Sequence, residues 1–349
     1  MNQPAKEEIM ITSHYKVSLL LACLLSLALV FLPSAEAQEK DYAFYKGKVI
    51  EFFVPYAVGG GFDAYARGLK PHLEKYIPGT TVVIRNIAGG GGLTGTNQLY
   101  RSKGDGLTVG IINGAGMVLN QILGAKEALY DLNKMGWVGR VYADTHVLAV
   151  PGKSPFRTAQ DLKNAKRAIV MAQTGKGSDD FFLTYLAFKA LGIPYRNIIG
   201  FQGAPEAIMA VLRGEEDGFM DSYSTLEKVI KEGEMRVIFQ VSLARDDPRI
   251  KDSPTLLELV GEDAGEMITG ISSVFAFERP IAAPPGVSPA RLNVLREALW
   301  ASLQDPGMIE WSKKVRPILP LRGEETEKLL RQALAAGNKL KPLLEDSLK

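Results

Sequence analysis

Cysteine and histidine are nearly absent from this chain of 349 residues, which contains one cysteine and three histidines. Cys23 and His14 lie in an N-terminal segment with the features of a secretory signal, so the rest would carry only His72 and His146. That rest can form neither a disulfide nor a thiolate metal site. Two isolated histidines also disfavour a histidine-based zinc site or a Ser-His-Asp triad, and no G-x-S-x-G elbow occurs. We expect no metal, cofactor or catalytic residue.

A strong charge imbalance is also lacking, since the formal net charge is +2. Without residues 1–37, which carry two lysines and three glutamates, it is +3. No basic patch interleaved with aromatic residues appears, so nucleic acid is not an expected partner. The mild positive charge suits a small anionic ligand. Length and a hydrophobic content of 46% predict about two globular domains with a sizeable core.

The first 37 residues predict a cleavable signal peptide and a periplasmic location. Lys16 precedes the apolar run 17–32, and Ala35-Glu36-Ala37 fits an A-x-A cleavage site. The run is shorter than the roughly 20 residues of a membrane span. An uncleaved anchor is the alternative interpretation, and Met10 is an alternative start to Met1.

Strands, glycine loops and helices alternate twice along the chain, which predicts two α/β units with parallel sheets. The predicted strands of the first unit are 48–54, 80–87 and 107–113. Those of the second are 147–156, which ends in Pro-Gly, then 167–173, 197–201, 217–222, 237–242 and 272–277. Two such units facing each other form a cleft, and ligands of open α/β sheets bind beyond the carboxyl ends of the strands.

Three glycine clusters follow predicted strands, at 59–61, 89–92 and 175–177. Glycine lets a backbone approach a ligand closely, and the start of the next helix favours an anion. Residues 90–95 fit G-x-G-x-x-G, but the next strand ends at Asn113 instead of the acidic residue of a dinucleotide site. Residues 175–178 fail the phosphate-loop pattern, because Val170 stands where a glycine is required and Gly177 follows Lys176.

Seven stretches resemble consecutive signatures of the tripartite tricarboxylate transporter (TctC) substrate-binding proteins, also called the Bug family. Between about residues 46 and 320 they read, in order, VPYAVGGGFDAYAR, VIRNIAGGGGLTGTNQL, GDGLTVGIIN, QTGKGSDD, GFQGAPEAIMAVLRGEEDGFMD, SPTLLELV and IAAPPGVSPARLNVL. Three departures indicate a divergent member. Ala57-Val58 replaces the usual Pro-Pro, Ala88 replaces a proline, and Phe181 stands where the family often has histidine.

This resemblance implies an α/β, two-lobed periplasmic binding protein (type II, Venus-flytrap) that closes on a small carboxylate. Lobe 1 would comprise residues 38–146 and return with 272–349, and lobe 2 would comprise 147–271. In the family, backbone N–H groups of the glycine loops and ordered water hold the ligand. The ligand-binding residues carried over by position are Tyr56, Val58, Gly59, Gly60, Gly61, Asp63, Asn113, Gly114, Thr174, Gly175, Lys176, Gly177, Ser178 and Asp221.

Two of these residues have open roles. Asp63 is expected to cap its helix or order the glycine loop. Lys176 either pairs with a second ligand carboxylate or is a solvated loop charge. Tyr56, Phe62 and Phe181 suggest either an aromatic or long apolar ligand, or simple packing between the lobes.

The function that the resemblance implies is a non-enzymatic receptor, monomeric, that delivers a di- or tricarboxylate or an aromatic acid to the membrane subunits of a transporter. A ligand-sensing adaptor for a two-component system is a second hypothesis. An exported enzyme is a third, although the adjacent Asp179 and Asp180 would point apart on a helix.

Overall fold

The computed structural model describes residues 42–348, so the predicted signal peptide lies outside the described residues. From Tyr45 onward the chain forms one compact unit with two sheets. The strands are β1 (Val49–Val54), β2 (Thr81–Asn86), β3 (Thr108–Ile111), β4 (Gly136–Arg140), β5 (His146–Pro151), β6 (Ile169–Gln173), β7 (Tyr195–Ile199), β8 (Gly218–Ser222), β9 (Met235–Val241), β10 (Pro280–Ala283) and β11 (Leu321–Arg322).

The helices pack around these sheets, and none within residues 42–348 is both long and apolar enough to cross a membrane. They are α1 (Gly61–Tyr76), α2 (Leu93–Arg101), α3 (Gly114–Leu123), α4 (Ala159–Lys163), α5 (Asp179–Leu191), α6 (Ala204–Leu212), α7 (Tyr223–Lys231), α8 (Leu256–Val260), α9 (Gly265–Phe275), α10 (Pro289–Gln304), α11 (Pro306–Lys314) and α12 (Gly323–Leu344).

Both sheets follow the same plan. The strand order is β11-β4-β10-β3-β1-β2 in the first and β7-β6-β8-β5-β9 in the second. Three parallel strands form one side of each sheet, β2-β1-β3 and β7-β6-β8. The next strand, β10 or β5, runs antiparallel to both neighbours. The predicted two α/β units are thus present, but their sheets are mixed.

The antiparallel strands mark where the chain passes between the lobes. β5 is the first strand of the second sheet after the chain leaves β4, and β10 is the first strand of the first sheet after α9. The backbone N–H of Val141 donates to the carbonyl of Arg279, so the two connecting segments are hydrogen-bonded to each other. The lobe boundaries after residues 146 and 271 remain a prediction.

The strand expected at residues 272–277 is wrong, because residues 272–275 are the last turn of α9 and residues 276 and 277 form a turn after it. Ile268, Ile271 and Val274 are buried at a spacing of three residues, which is helical. The apolar run SSVFAF covers too few residues to show that period alone. The strand that does lie nearby, β10, consists of Pro280–Ala283 and was not expected.

Candidate functional site

A small enclosed cavity lies between the two lobes. Lobe 1 contributes Tyr56, Gly60, Gly61 and Phe62, and lobe 2 contributes Thr174, Asp179, Asp180, Ala204, Asp221 and Thr225. The cavity measures ≈ 20 Å³, which is room for roughly one water molecule. Direct bonds join the lobes around it, including Ala57 N–H to the Gln202 carbonyl at 2.9 Å. The structure therefore shows the lobes closed.

The first glycine cluster forms the start of α1, at one side of this cavity. Gly59 adopts φ +92°, a left-handed conformation that favours glycine. Its N–H donates to Asp63 Oδ2 at 2.9 Å, and Asn86 Nδ2 donates to Asp63 Oδ1 at 3.0 Å. Asp63 thus orders the glycine loop. Helix α1 begins at Gly61 without a side-chain cap, so its first N–H groups and its dipole favour an anion.

The second and third glycine clusters pack against each other across the lobes. A Cβ built on Gly175 would lie 2.7 Å from Gly90 C and 2.8 Å from Gly91 Cα. One built on Gly91, where φ is +65°, would lie 2.6 Å from Ser178 N. Only glycine allows this approach of two backbones. These glycines therefore serve the contact between the lobes in the closed structure.

A buried hydrogen-bond network connects the lobes beside the cavity. Asn113 caps α3 by accepting from Gly116 N–H, and its Nδ2 donates to Tyr56 Oη at 2.7 Å and to Asp179 Oδ1 at 2.6 Å. The Tyr56 hydroxyl donates to the Gly91 carbonyl at 3.1 Å. Each polar group of this network has a partner, which is what burial requires.

Three aspartates form an acidic wall of the cavity: Asp179, Asp180 and Asp221. Burial opposes ionisation of Asp179, but the charge of His146, whose Nε2 lies 3.6 Å from Asp179 Oδ2, and the hydrogen bond from Asn113 outweigh it and lower the pKa of Asp179. Burial and the charge of Asp179 raise the pKa of Asp180 well above its usual value. The same two effects raise the pKa of Asp221 to about 6. The wall thus holds carboxyl groups whose pKa values are shifted in opposite directions.

Buried cations lie behind this acidic wall. Arg279, with φ +45°, binds Glu278 through Nη1 at 2.6 Å and Ser222 Oγ through Nη2 at 2.7 Å. Its guanidinium also lies over the rings of Phe62, Tyr65 and Tyr142 at 5.4–6.0 Å. Burial disfavours a charged His146, but Glu278 and Asp179 outweigh it and raise the pKa of His146 to about 10.

The structure brings five of the residues expected at the site to the cavity: Tyr56, Gly60, Gly61, Thr174 and Asp221. The others have different positions. Val58 and Lys176 are exposed. Ser178 caps α5 by accepting from Phe181 N–H. Gly114 lies against Phe277, and a Cβ there would lie 2.8 Å from Phe277 Cδ1. Gly177 lies against the second glycine cluster, where a Cβ would lie 2.9 Å from Gly90 O. The roles of Gly59, Asp63, Asn113 and Gly175 are those described above.

Several residues around the cavity were not expected from the sequence. Asp179 and Asp180 occupy the first turn of α5, directly after the third glycine cluster. Negative charge at this end of a helix interacts favourably with the helix dipole. They point to different partners, Asp179 to Asn113 and Asp180 to Thr174. Their position directly after the third glycine cluster was the sequence feature that could have identified them as site residues. No local pattern marked His146, Glu278 or Arg279.

The raised pKa of Asp221 predicts a pH-dependent difference between the wild-type protein and Asp221→Asn. The folded protein holds this proton up to about pH 6, whereas the unfolded chain loses it near pH 4. Stability from this group is present below pH 4 and is lost as pH rises to 6. We compare the free energies of unfolding of D221N and wild type at each pH. We expect the difference to shift by about 2–3 kcal/mol in favour of D221N between pH 4 and pH 7. Urea denaturation at both pH values measures this, and an equal difference at both would contradict it.

Comparison with known proteins places these observations in one family. The model of the "Tripartite tricarboxylate transporter family receptor" matches residues 66–337. A Pseudomonas sp. (strain P51) protein described as "UPF0065 protein in tcbD-tcbE intergenic region" is 27% identical over 293 residues, which is 81% of each chain.

Solved structures of periplasmic binding proteins share the fold. BugD superposes with a TM-score of 0.72 and 23% identity, covering 87% of this chain and 98% of its own. MatC from Rhodopseudomonas palustris, solved with bound malate, superposes with a TM-score of 0.69 and 19% identity, covering 86% and 99%. The predicted two-lobed periplasmic binding fold is confirmed.

Proposed function

Because the chain belongs to the tripartite tricarboxylate transporter receptor family, we propose that it captures a small organic carboxylate between its lobes in the periplasm and delivers it to the membrane subunits of such a transporter. Receptors of this family bind a solute and are not enzymes. The observation that carries the proposal is the cavity at the uncapped start of α1, between the two lobes. Neutral N–H donors at a helix start hold a carboxylate without a buried counter-charge.

The ligand enters when the lobes separate, since the closed cavity has room for about one water molecule. Such hinge closure is a known motion of two-lobed binding proteins. The carboxylate belongs at Gly60, Gly61 and Phe62, because the start of α5 already carries Asp179 and Asp180. The acidic wall then favours a ligand with a hydroxyl or ammonium donor beside its carboxylate.

A panel of acids tests this function on the protein without its first 37 residues. We expect malate or aspartate to raise the melting temperature more than succinate, which lacks the donor. A ligand at 100 times its dissociation constant adds about 2.7 kcal/mol of stability. Citrate and benzoate extend the panel to tricarboxylates and aromatic acids. No shift with any carboxylate, confirmed by calorimetry, would contradict the receptor function, and tighter binding of succinate would contradict only the role of the acidic wall.

Gly61 provides a direct test of the backbone donor. It is the first residue of α1, where proline is tolerated, and the extended Gly60 before it, with ψ 178°, suits a following proline. Gly61→Pro removes one N–H, and we expect carboxylate affinity to fall about 10- to 100-fold, the value of one hydrogen bond to a charged group. Gly61→Ala retains the N–H and is the matched control. Equal calorimetric affinities for the two variants would contradict the placement of the carboxylate.

A further inference from the structure

A compact cluster of metal-ligating groups lies behind the acidic wall. His146 Nε2 is 3.1 Å from Glu278 Oε1 and 3.6 Å from Asp179 Oδ2. The three ligand atoms lie within 4.8 Å of one another. All three residues are buried, with exposed fractions of 2%, 0% and 8% for His146, Glu278 and Asp179. The cluster shares Asp179 with the acidic wall of the cavity, whereas His146 and Glu278 do not line that cavity.

Two atoms of this cluster are buried without a hydrogen bond. His146 Nε2 and Glu278 Oε1 have no hydrogen-bond partner within residues 42–348, although they lie 3.1 Å apart. Their distance suits a hydrogen bond, but their relative orientation does not. Buried polar atoms are nearly always satisfied, so an unsatisfied pair this close together indicates a further occupant.

The donor set and its spacing suit a divalent transition-metal ion. One imidazole nitrogen and two carboxylate oxygens are ligands of Zn²⁺ and Mn²⁺. Ligand atoms at 2.0–2.2 Å from a tetrahedral metal are about 3.3–3.6 Å from each other, and the two histidine–carboxylate separations lie close to this range.

The surrounding side chains orient the two carboxylates. Asn113 Nδ2 donates to Asp179 Oδ1 at 2.6 Å, and Arg279 Nη1 donates to Glu278 Oε2 at 2.6 Å. Each carboxylate thus keeps one oxygen for the cluster, which is the usual arrangement of a second coordination shell. His146 also lines a second cavity, of ≈ 340 Å³, beside α9, so open space reaches this residue of the cluster.

We propose that His146, Asp179 and Glu278 bind one divalent transition-metal ion of the Zn²⁺ or Mn²⁺ type. The ligands come from three places: the start of β5, the start of α5, and the segment between α9 and β10. Two of these belong to the connections between the lobes. A bound ion therefore fixes the connecting segments to the first turn of α5. The inference goes beyond the receptor function and does not rest on it.

Zinc titration of the chelator-treated, untagged protein without its first 37 residues tests the site. We expect one equivalent of Zn²⁺ per chain by calorimetry, and an affinity at least about 100-fold lower in Glu278→Gln and His146→Asn. His72→Asn is the matched control, because His72 pairs with Asp305 alone, at 3.2 Å, and should leave zinc binding unchanged. Absence of stoichiometric zinc uptake, or equal uptake by folded E278Q and H146N, would overturn the proposal.

A wild-type measurement keeps the test decisive if those variants fail to fold. Beyond residue 37 the chain has only His72 and His146, so ¹⁵N NMR should show two imidazole rings, each with an Nδ1 and an Nε2 signal. Zinc at the proposed site shifts the Nε2 signal of one ring and leaves the signals of the other ring in place. If the Nε2 signals of both rings stay unchanged with excess zinc, His146 is a simple imidazolium between two carboxylates and the proposal fails.

Discussion

Replacing Gly175 by alanine is expected to lower carboxylate affinity at least about 100-fold while lobe 2 stays folded. The φ angle of Gly175 lies outside the left-handed region, so alanine suits the loop itself. Its Cβ would instead overlap Gly90 and Gly91 of the opposite lobe, at 2.7–2.8 Å from backbone atoms. A backbone cannot move aside as a flexible side chain can, so the lobes must stay further apart.

Calorimetry and small-angle scattering measure the two parts of this prediction. We expect weaker binding together with a larger radius of gyration in the presence of ligand. Gly265→Ala is the control, because Gly265 has open space around its missing Cβ and no left-handed φ. If Gly175→Ala binds the ligand as tightly as the wild type and reaches the same radius of gyration with ligand, the contact between the glycine clusters is not needed for closure.

Arg279→Ala is expected to reduce the free energy of unfolding by about 3–5 kcal/mol, the cost of breaking a buried ion pair. The guanidinium is 1% exposed, and its removal breaks the 2.6 Å ion pair with Glu278, which stays buried. It also removes the bond to Ser222 and the contacts with three aromatic rings. The substitution therefore weakens the connection between β8 and the segment before β10.

Urea denaturation measures this loss. The slope of the free energy of unfolding against urea concentration should stay unchanged. Arg245→Ala is the matched control, because Arg245 pairs with Glu258 on the surface, where both side chains are more than 40% exposed. Surface pairs contribute about 0–1 kcal/mol, so the control should change little. Similar losses for the two variants would contradict the importance of the buried pair.

The sequence predicted most elements well because their signals are local. Asp63 was expected to cap its helix or order the glycine loop, and it does the second by accepting a hydrogen bond from Gly59, four residues before it. Ser288 followed by Pro289 is a local helix-start signal, and α10 begins there with Ser288 as its cap. The strand prediction for residues 272–277 failed because a six-residue apolar run suits a strand or the end of a helix equally.

The sequence by itself determined the two α/β units, the three glycine clusters at strand–helix junctions, and the resemblance that the family match confirmed. Each of these is written in short stretches of neighbouring residues. Only the tertiary structure decided which cluster lines the cavity and which two pack against each other. It alone also brought His146 and Glu278 together beside Asp179. The physical reason is that these contacts join residues far apart in the chain, and their approach depends on how the lobes close.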